Sequence, residues 1–369
     1  MASAAPKVTS TVLELNEALP LDCGLSLDGV RIAYETYGTL NEARDNAVLI
    51  CHATTGDQYL ASKHPITGKP GWWDRMVGPG KGIDTDRFYV ICPNVLGSCM
   101  GTTGPSSPAP DGEPWAMRFP VITIRDMVRA HLALLDALEV GQLHAVVGGS
   151  MGGMQALSLA ANWPERTQRV MAIAATGEMP AQNIAFQEVG RQAVMADPDW
   201  QGGAYYGTGK APDSGLSVAR MAAHITYLSE ATLSEKFGRR LQDREAKSFG
   251  FDADFQVESY LRYQGESFTG RFDANSYLYI TRAMSYFDLA EECGGRLADA
   301  FKDCKARFCL VSFDTDWLYP TVESRKLAHA LNAAGAPVSF VELAAPFGHD
   351  SFLLEVPELD RVIAGFLSQ

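Results

Sequence analysis

The chain has 369 residues, a formal charge of −13, 46% hydrophobic and 20% charged residues, the composition of a globular protein long enough to bury a large core. Its acidic balance argues against nucleic acid or an anionic membrane surface as partner, because both need clustered cations. No apolar run reaches transmembrane length and residues 1–10 lack the apolar stretch of a signal peptide. Seven Cys without a CxxC pair read as reduced core thiols of a cytoplasmic protein, not as disulfides or metal ligands.

In chain order, residues 30–37 read as a strand ending in a turn through Gly38 and Asn41. Residues 47–51 and 88–92 are short apolar runs bounded by turn residues, the pattern of buried sheet strands. The long loops at 56–82 and 94–120, rich in Gly, Pro, Trp and Ser, are expected to line a site. Thr123 opens a helix with Asp126 as its capping-box partner. Ile124, Met127, Val128, His131, Leu132, Leu135 and Leu138 then share one face. Residues 143–147 form a strand, 153–162 a small-residue helix, and 169–175 another strand, which implies right-handed parallel β-α-β units. From about 180 to 300 the chain reads as helices and loops. Sheet character returns at 307–312, followed by a helix at 323–332, a strand at 338–343 and a helix at 357–366. The pattern is one α/β core (1–180 and 300–369) carrying a helical insertion (181–299).

The chemistry centres on Gly148-Gly149-Ser150-Met151-Gly152, a G-x-S-x-G turn between an apolar strand and a helix. Glycines on both sides let the backbone fold tightly, so that Ser150 is presented as a nucleophile and the Met151 N–H can hold an oxyanion at a helix N-terminus. A serine nucleophile needs a base and an orienting acid, in the chain order Ser, acid, His for this turn. His349 alone lies C-terminal to Ala330, and Asp314 and Asp316 both precede it after a strand; position does not choose between them. The loop after the 47–51 strand supplies a second oxyanion donor in such folds, which points to the Thr54 N–H. His52 reads as a loop-shaping residue, and His131 and His144 as packed core.

Several segments together resemble the homoserine O-acetyltransferases of methionine biosynthesis. They are His52-Ala53-Thr54-Thr55-Gly56-Asp57, Gly71-Trp72-Trp73, the Asn94 to Pro105 stretch, Phe119-Pro120 through Asp126, Gly148 to Gln155, Arg220 through Ser229, Asp316-Trp317-Leu318-Tyr319-Pro320 and Gly348-His349-Asp350. The resemblance implies the α/β-hydrolase fold, a mostly parallel sheet flanked by helices, with the insertion as a helical lid. It implies Asp316 as the acid of a Ser150, Asp316, His349 triad, and acetyl-CoA and L-homoserine as substrates in a ping-pong reaction. Arg220 and Tyr227, seven residues apart, match family positions for the acceptor carboxylate, and Asp350 matches the ammonium partner. It further implies a homodimer through the lid and no metal or resident cofactor. Thr54 and Ser98 stand where the family usually has Leu and a second Gly, and both side chains are candidates to face the acyl pocket. The alternatives are a succinyl donor, a serine acceptor, or, in a different class, a serine esterase using water.

Overall fold

The computed structural model describes residues 10–369; residues 1–9, which hold most of the segment read against a signal peptide, lie outside the described residues. An eight-stranded sheet forms the centre: β1 (Thr11–Glu14), β2 (Arg31–Tyr37), β3 (Ala47–Cys51), β4 (Tyr89–Pro93), β5 (Ala145–Gly149), β6 (Arg169–Ile173), β7 (Arg307–Phe313) and β8 (Val338–Leu343), in spatial order β1-β2-β4-β3-β5-β6-β7-β8. β1 and β2 pair antiparallel with their neighbours, and every pairing from β4 across to β8 is parallel. The two central strands β3 and β5 are buried along their whole length, which explains their unbroken apolar sequence. A strand covered on both faces has no solvent side to alternate with.

Helices cover both faces of this sheet. α1 (Ile124–Ala137) and α2 (Met151–Asn162) pack on one side with α9 (Thr321–Ala333), and α10 (Pro357–Leu367) closes the other. Between β6 and β7 run α3 (Ala181–Ala196), α4 (Asp213–Tyr227), α5 (Glu230–Lys236), α6 (Gln256–Thr269), α7 (Ala274–Ser285) and the short α8 (Leu289–Glu292). No helix among the described residues is long and apolar enough to cross a membrane.

Three sequence expectations need correction. β1, too short and mixed to be recognised, adds an antiparallel edge strand. Cys23 is exposed and Cys99 and Cys293 are half-buried, so the free thiols are not uniformly core. His144 is only half-buried, its Nε2 bonded to the Leu367 carbonyl at 2.8 Å, whereas His131 is buried as expected.

The start of α1 is a junction. Thr123 accepts from the Asp126 N–H at 3.1 Å while Asp126 accepts from the Thr123 N–H at 2.9 Å, a reciprocal capping box. Thr123 also donates to Asp22 at 2.6 Å, and Asp22 is bridged by Arg125 and Arg129. Thr123→Ala removes the cap and the Asp22 contact together and should lower stability by about 1–2 kcal/mol. The expected result is a lower urea midpoint at unchanged slope; an unchanged midpoint contradicts this account.

Candidate active site

The strand-turn-helix between β5 and α2 fixes the position of Ser150. Its backbone has φ 57° and ψ −125°, a region that favours glycine and is costly for any L side chain. Close packing holds it there. A Cβ on Gly152 would sit 2.0 Å from the Cys51 carbonyl oxygen, and one on Gly148 would sit 2.2 Å from Gly152 carbon, so β5, the loop after β3 and the first turn of α2 meet backbone against backbone. The Ser150 N–H is tied to the Ile173 carbonyl at 2.9 Å. Ser150 is buried except where its side chain faces a cavity of about 170 Å³.

His349 lines the same cavity, carried on a short 3-10 turn, Gly348–Phe352, just beyond β8. Its Nδ1 is 2.8 Å from Asp316 Oδ2. Asp316 Oδ1 accepts the N–H groups of Leu318 and Tyr319 at 2.9 and 3.0 Å, so the carboxylate is pinned on both oxygens. That arrangement puts the proton on Nδ1 and leaves Nε2 free to act as base. Asp314, the other candidate acid, is exposed and accepts from the Ala345 N–H at 3.0 Å instead. Burial opposes a charged imidazole, yet the charge and hydrogen bond of Asp316, with the charge of Asp350, raise the His349 pKa above its ordinary value. Ser150 Oγ makes no hydrogen bond to His349 among the described residues, a separation common before substrate tightens such sites.

The loop after β3 is held from three directions. Val95 N–H donates to His52 Nε2 at 3.1 Å, which makes Nε2 an acceptor and places the ring proton on Nδ1. Nδ1 then donates to the Ala53 carbonyl at 2.7 Å. In a trans peptide the carbonyl and the following N–H point opposite ways, so this bond orients the Thr54 N–H away from His52. Burial lowers the His52 pKa, which keeps this clamp neutral. Arg271 donates to the Thr55 carbonyl at 3.0 Å and Arg220 to Thr55 Oγ1 at 3.1 Å. The Met151 N–H, in the first turn of α2, has no intrahelical acceptor; the Thr54 N–H has none among the described residues.

The helical insertion supplies the remaining walls. Arg220 and Tyr227 lie on α4, and the Arg220 guanidinium is 5.5 Å from the centroid of the Tyr227 ring. Asp350 faces them from the His349 turn. Burial pushes its carboxyl up to about 6, against the pull of His349 and Arg220. A cation and a carboxylate thus line the same cavity as Ser150 and His349. Tyr277 and Met284 from α7 and Thr55 also line it; sequence reasoning assigned none of them to the cavity, and although Thr55 lies in the His52 to Asp57 segment, no local motif marks Tyr277 or Met284. Thr54 does face the cavity, with Oγ1 3.2 Å from Met284 Sδ. Ser98 does not: it is fully buried and accepts from Asn94 at 3.2 Å. The 94–120 loop supplies no wall to this cavity; it braces His52 from behind. No cluster of potential metal ligands occurs among the described residues.

A serine on a strained turn, a buried His–Asp pair and a parallel sheet in this strand order define an α/β hydrolase, and a sequence profile of the alpha/beta hydrolase fold matches residues 46–356. The homoserine O-acetyltransferase of Zymomonas mobilis is 66% identical over 350 residues, covering 95% of this chain and 94% of that protein. The chain belongs to the homoserine O-acetyltransferase family. Its structure is similar to the crystal structure of homoserine O-acetyltransferase from Bacillus anthracis (TM-score 0.90, 27% identity, 98% of each chain). It is also similar to that of an esterase (TM-score 0.88, 31% identity, 97% of this chain and 99% of the other).

The strain at Ser150 generates a test. Ser150→Gly relieves a conformation costing about 1–3 kcal/mol while adding roughly 0.5–1 kcal/mol of unfolded-chain entropy. The variant should melt slightly higher than the wild type and release no thiol from a thioester. A lower melting temperature contradicts the strain argument.

Proposed function

We propose that the protein transfers the acetyl group of acetyl-CoA to the hydroxyl of L-homoserine through an acetyl-Ser150 intermediate, as a step towards methionine. The observation that carries this reading is the pairing of opposite charges, Arg220 and Asp350, in the same cavity as Ser150 and His349. A zwitterionic acceptor needs both; water needs neither. The 66% identity to a homoserine O-acetyltransferase over nearly the whole chain supports it.

In the first half-reaction His349 Nε2 takes the Ser150 proton as Oγ attacks the thioester carbonyl. The N–H groups of Thr54 and Met151 hold the oxyanion. Collapse breaks the C–S bond, and the CoA thiolate takes the proton from His349. In the second, homoserine hydroxyl gives its proton to His349 and attacks the acetyl ester; collapse returns the electron pair and the proton to Ser150 Oγ. Asp316 holds the imidazole tautomer and stabilises the imidazolium in both halves. Arg220 and Tyr227 hold the acceptor carboxylate and Asp350 its ammonium. The thioester is already activated, so the chemistry calls for no metal or resident cofactor.

Donor choice follows from charge. A succinyl donor brings a second carboxylate, and Arg220 is the one permanently charged cation lining this cavity among the described residues. His224 cannot substitute, since burial and the neighbouring Arg220 push its pKa down to about 3. When the acceptor engages Arg220 in the second half-reaction the acyl group is still on Ser150, so a succinyl carboxylate would be left without a partner and acetyl is the group the cavity fits. The exposed Ile184 and Val189 of α3 and Val218 and Ile225 of α4 support pairing of two lids in a homodimer, and the free thiols support a cytoplasmic setting.

Thiol release from acetyl-CoA or succinyl-CoA, with L-homoserine, L-serine or no acceptor, tests the assignment. Acetyl-CoA with homoserine should exceed every other combination at least tenfold. Acceptor-independent release at the full rate would make the protein an esterase. A second expectation concerns pH. Asp350 is ionised above about 6, so KM for homoserine should rise as pH falls through that value. Acylation should follow deprotonation of His349, whose pKa lies above the ordinary one. Asp350→Asn removes a charge that raises it, so the acidic limb of acylation should move to lower pH. An unmoved limb contradicts the electrostatic coupling.

A further inference from the structure

A second cavity, of about 300 Å³, adjoins the first, and Thr55 and Arg220 line both. One wall is the loop after β3, with Lys69 and Trp72; the other is the C-terminal part of α6, with Tyr263 and Phe268, and Arg271 just beyond it. Lys69 and Tyr263 are exposed at the rim and Trp72 is half-buried.

The charges here are unbalanced. Among the described residues none of Arg220, Arg271 and Lys69 is in an ion pair. The carboxylate lining the cavity, Asp57, is engaged by His64 at 3.0 Å and by the Tyr59 N–H at 2.9 Å. Arg220 and Arg271 approach the same Phe268 ring, 4.7 and 5.2 Å from its centroid. Burial and the charge of Arg220 lower the Arg271 pKa, a cost that an anion between them relieves. Three unpaired cations around one hollow, in a chain of net charge −13, mark a place for a ligand with several negative charges. Aromatic faces at the mouth suit a heteroaromatic ring.

We propose that this cavity holds the phosphorylated, adenine-bearing end of the CoA thioester, with the pantetheine arm passing Thr55 and Arg220 to reach Ser150. This rests on the acyl-transfer reading above and names the part of the donor that the Ser150 cavity is too small to hold. A ping-pong order suits it: the donor thiol leaves before the amino acid arrives, so the arm and the acceptor use the space beside Arg220 in turn. The cations at Lys69 and Arg271 contribute donor affinity away from the reacting carbon, as remote binding energy does.

Lys69 provides the test, since its ammonium makes no hydrogen bond among the described residues and its charge reversal leaves the packed core untouched. Wild type and Lys69→Glu are compared with acetyl-CoA and with S-acetylpantetheine, which lacks the phosphates and the adenine. The ratio of kcat/KM for acetyl-CoA to that for S-acetylpantetheine should fall about tenfold in the variant, through KM for acetyl-CoA, in keeping with loss of a charge-assisted contact. An unchanged ratio, whether both values hold or both drop together, overturns the site. Calorimetric titration with adenosine 3′,5′-bisphosphate is independent of turnover: the wild type should bind it and Lys69→Glu at least tenfold more weakly, and equal binding by the two overturns the site. A wild type that binds the bisphosphate but takes no acyl group from acetyl-CoA contradicts the acyl-transfer reading and leaves this cavity assigned.

Discussion

The site depends on one close approach, that of the Gly148–Gly152 turn to the end of β3. The Gly152 Cα lies so near the Cys51 carbonyl that no side chain fits between them, and Ser150, two residues before it in the same turn, is held at a positive φ. The same contact brings the first amide of α2 beside the loop at residues 53–56, which carries the other candidate oxyanion donor. Ser150 and the two candidate oxyanion donors are thus set by backbone packing in the core, where rearrangement is most costly. The fold meets the local strain with burial of β3, β5 and α2 on all sides.

Around that fixed point the polar groups are arranged by differing degrees of satisfaction. Asp316 is bonded on both oxygens and His52 on both nitrogens, which makes them rigid orienting groups. Arg220 has a buried Nε with no partner, and Asp350 has an elevated pKa, which are the marks of groups that gain from a ligand. Structures similar to this one include both an acetyltransferase and an esterase, so the fold and triad alone do not separate transfer from hydrolysis. The distinction rests on what lies beyond the triad. Charged groups that bind an amino acid raise its local concentration at the acyl-enzyme, where it competes with water.

Much of this was legible in the sequence because it is local. The capping box at Thr123, the apolar runs of the central strands and the glycines flanking Ser150 each impose a short-range constraint that a few residues express completely. The choice between Asp314 and Asp316 was not local. Both sit in one turn, and only the path of the chain from β8 decides that one caps the Ala345 N–H while the other meets His349. Arg271, Tyr277 and Met284 were invisible for a related reason: Tyr277 and Met284 come from α7 and Arg271 from the short link between α6 and α7, and where these segments sit over the sheet is a tertiary property. Ser98 shows the converse error. A departure from the family pattern suggested a pocket residue, but its side chain turns inward to Asn94 and serves the scaffold that holds His52.

Ser150 is proposed to carry the acyl group between two substrates. Incubation with acetyl-CoA alone, followed by intact-mass measurement and peptide mapping, tests it directly. One acetyl group per chain is expected, located on Ser150, persisting in buffer and discharged rapidly by L-homoserine. An adduct on another residue, or one that water removes as fast as homoserine does, would contradict it.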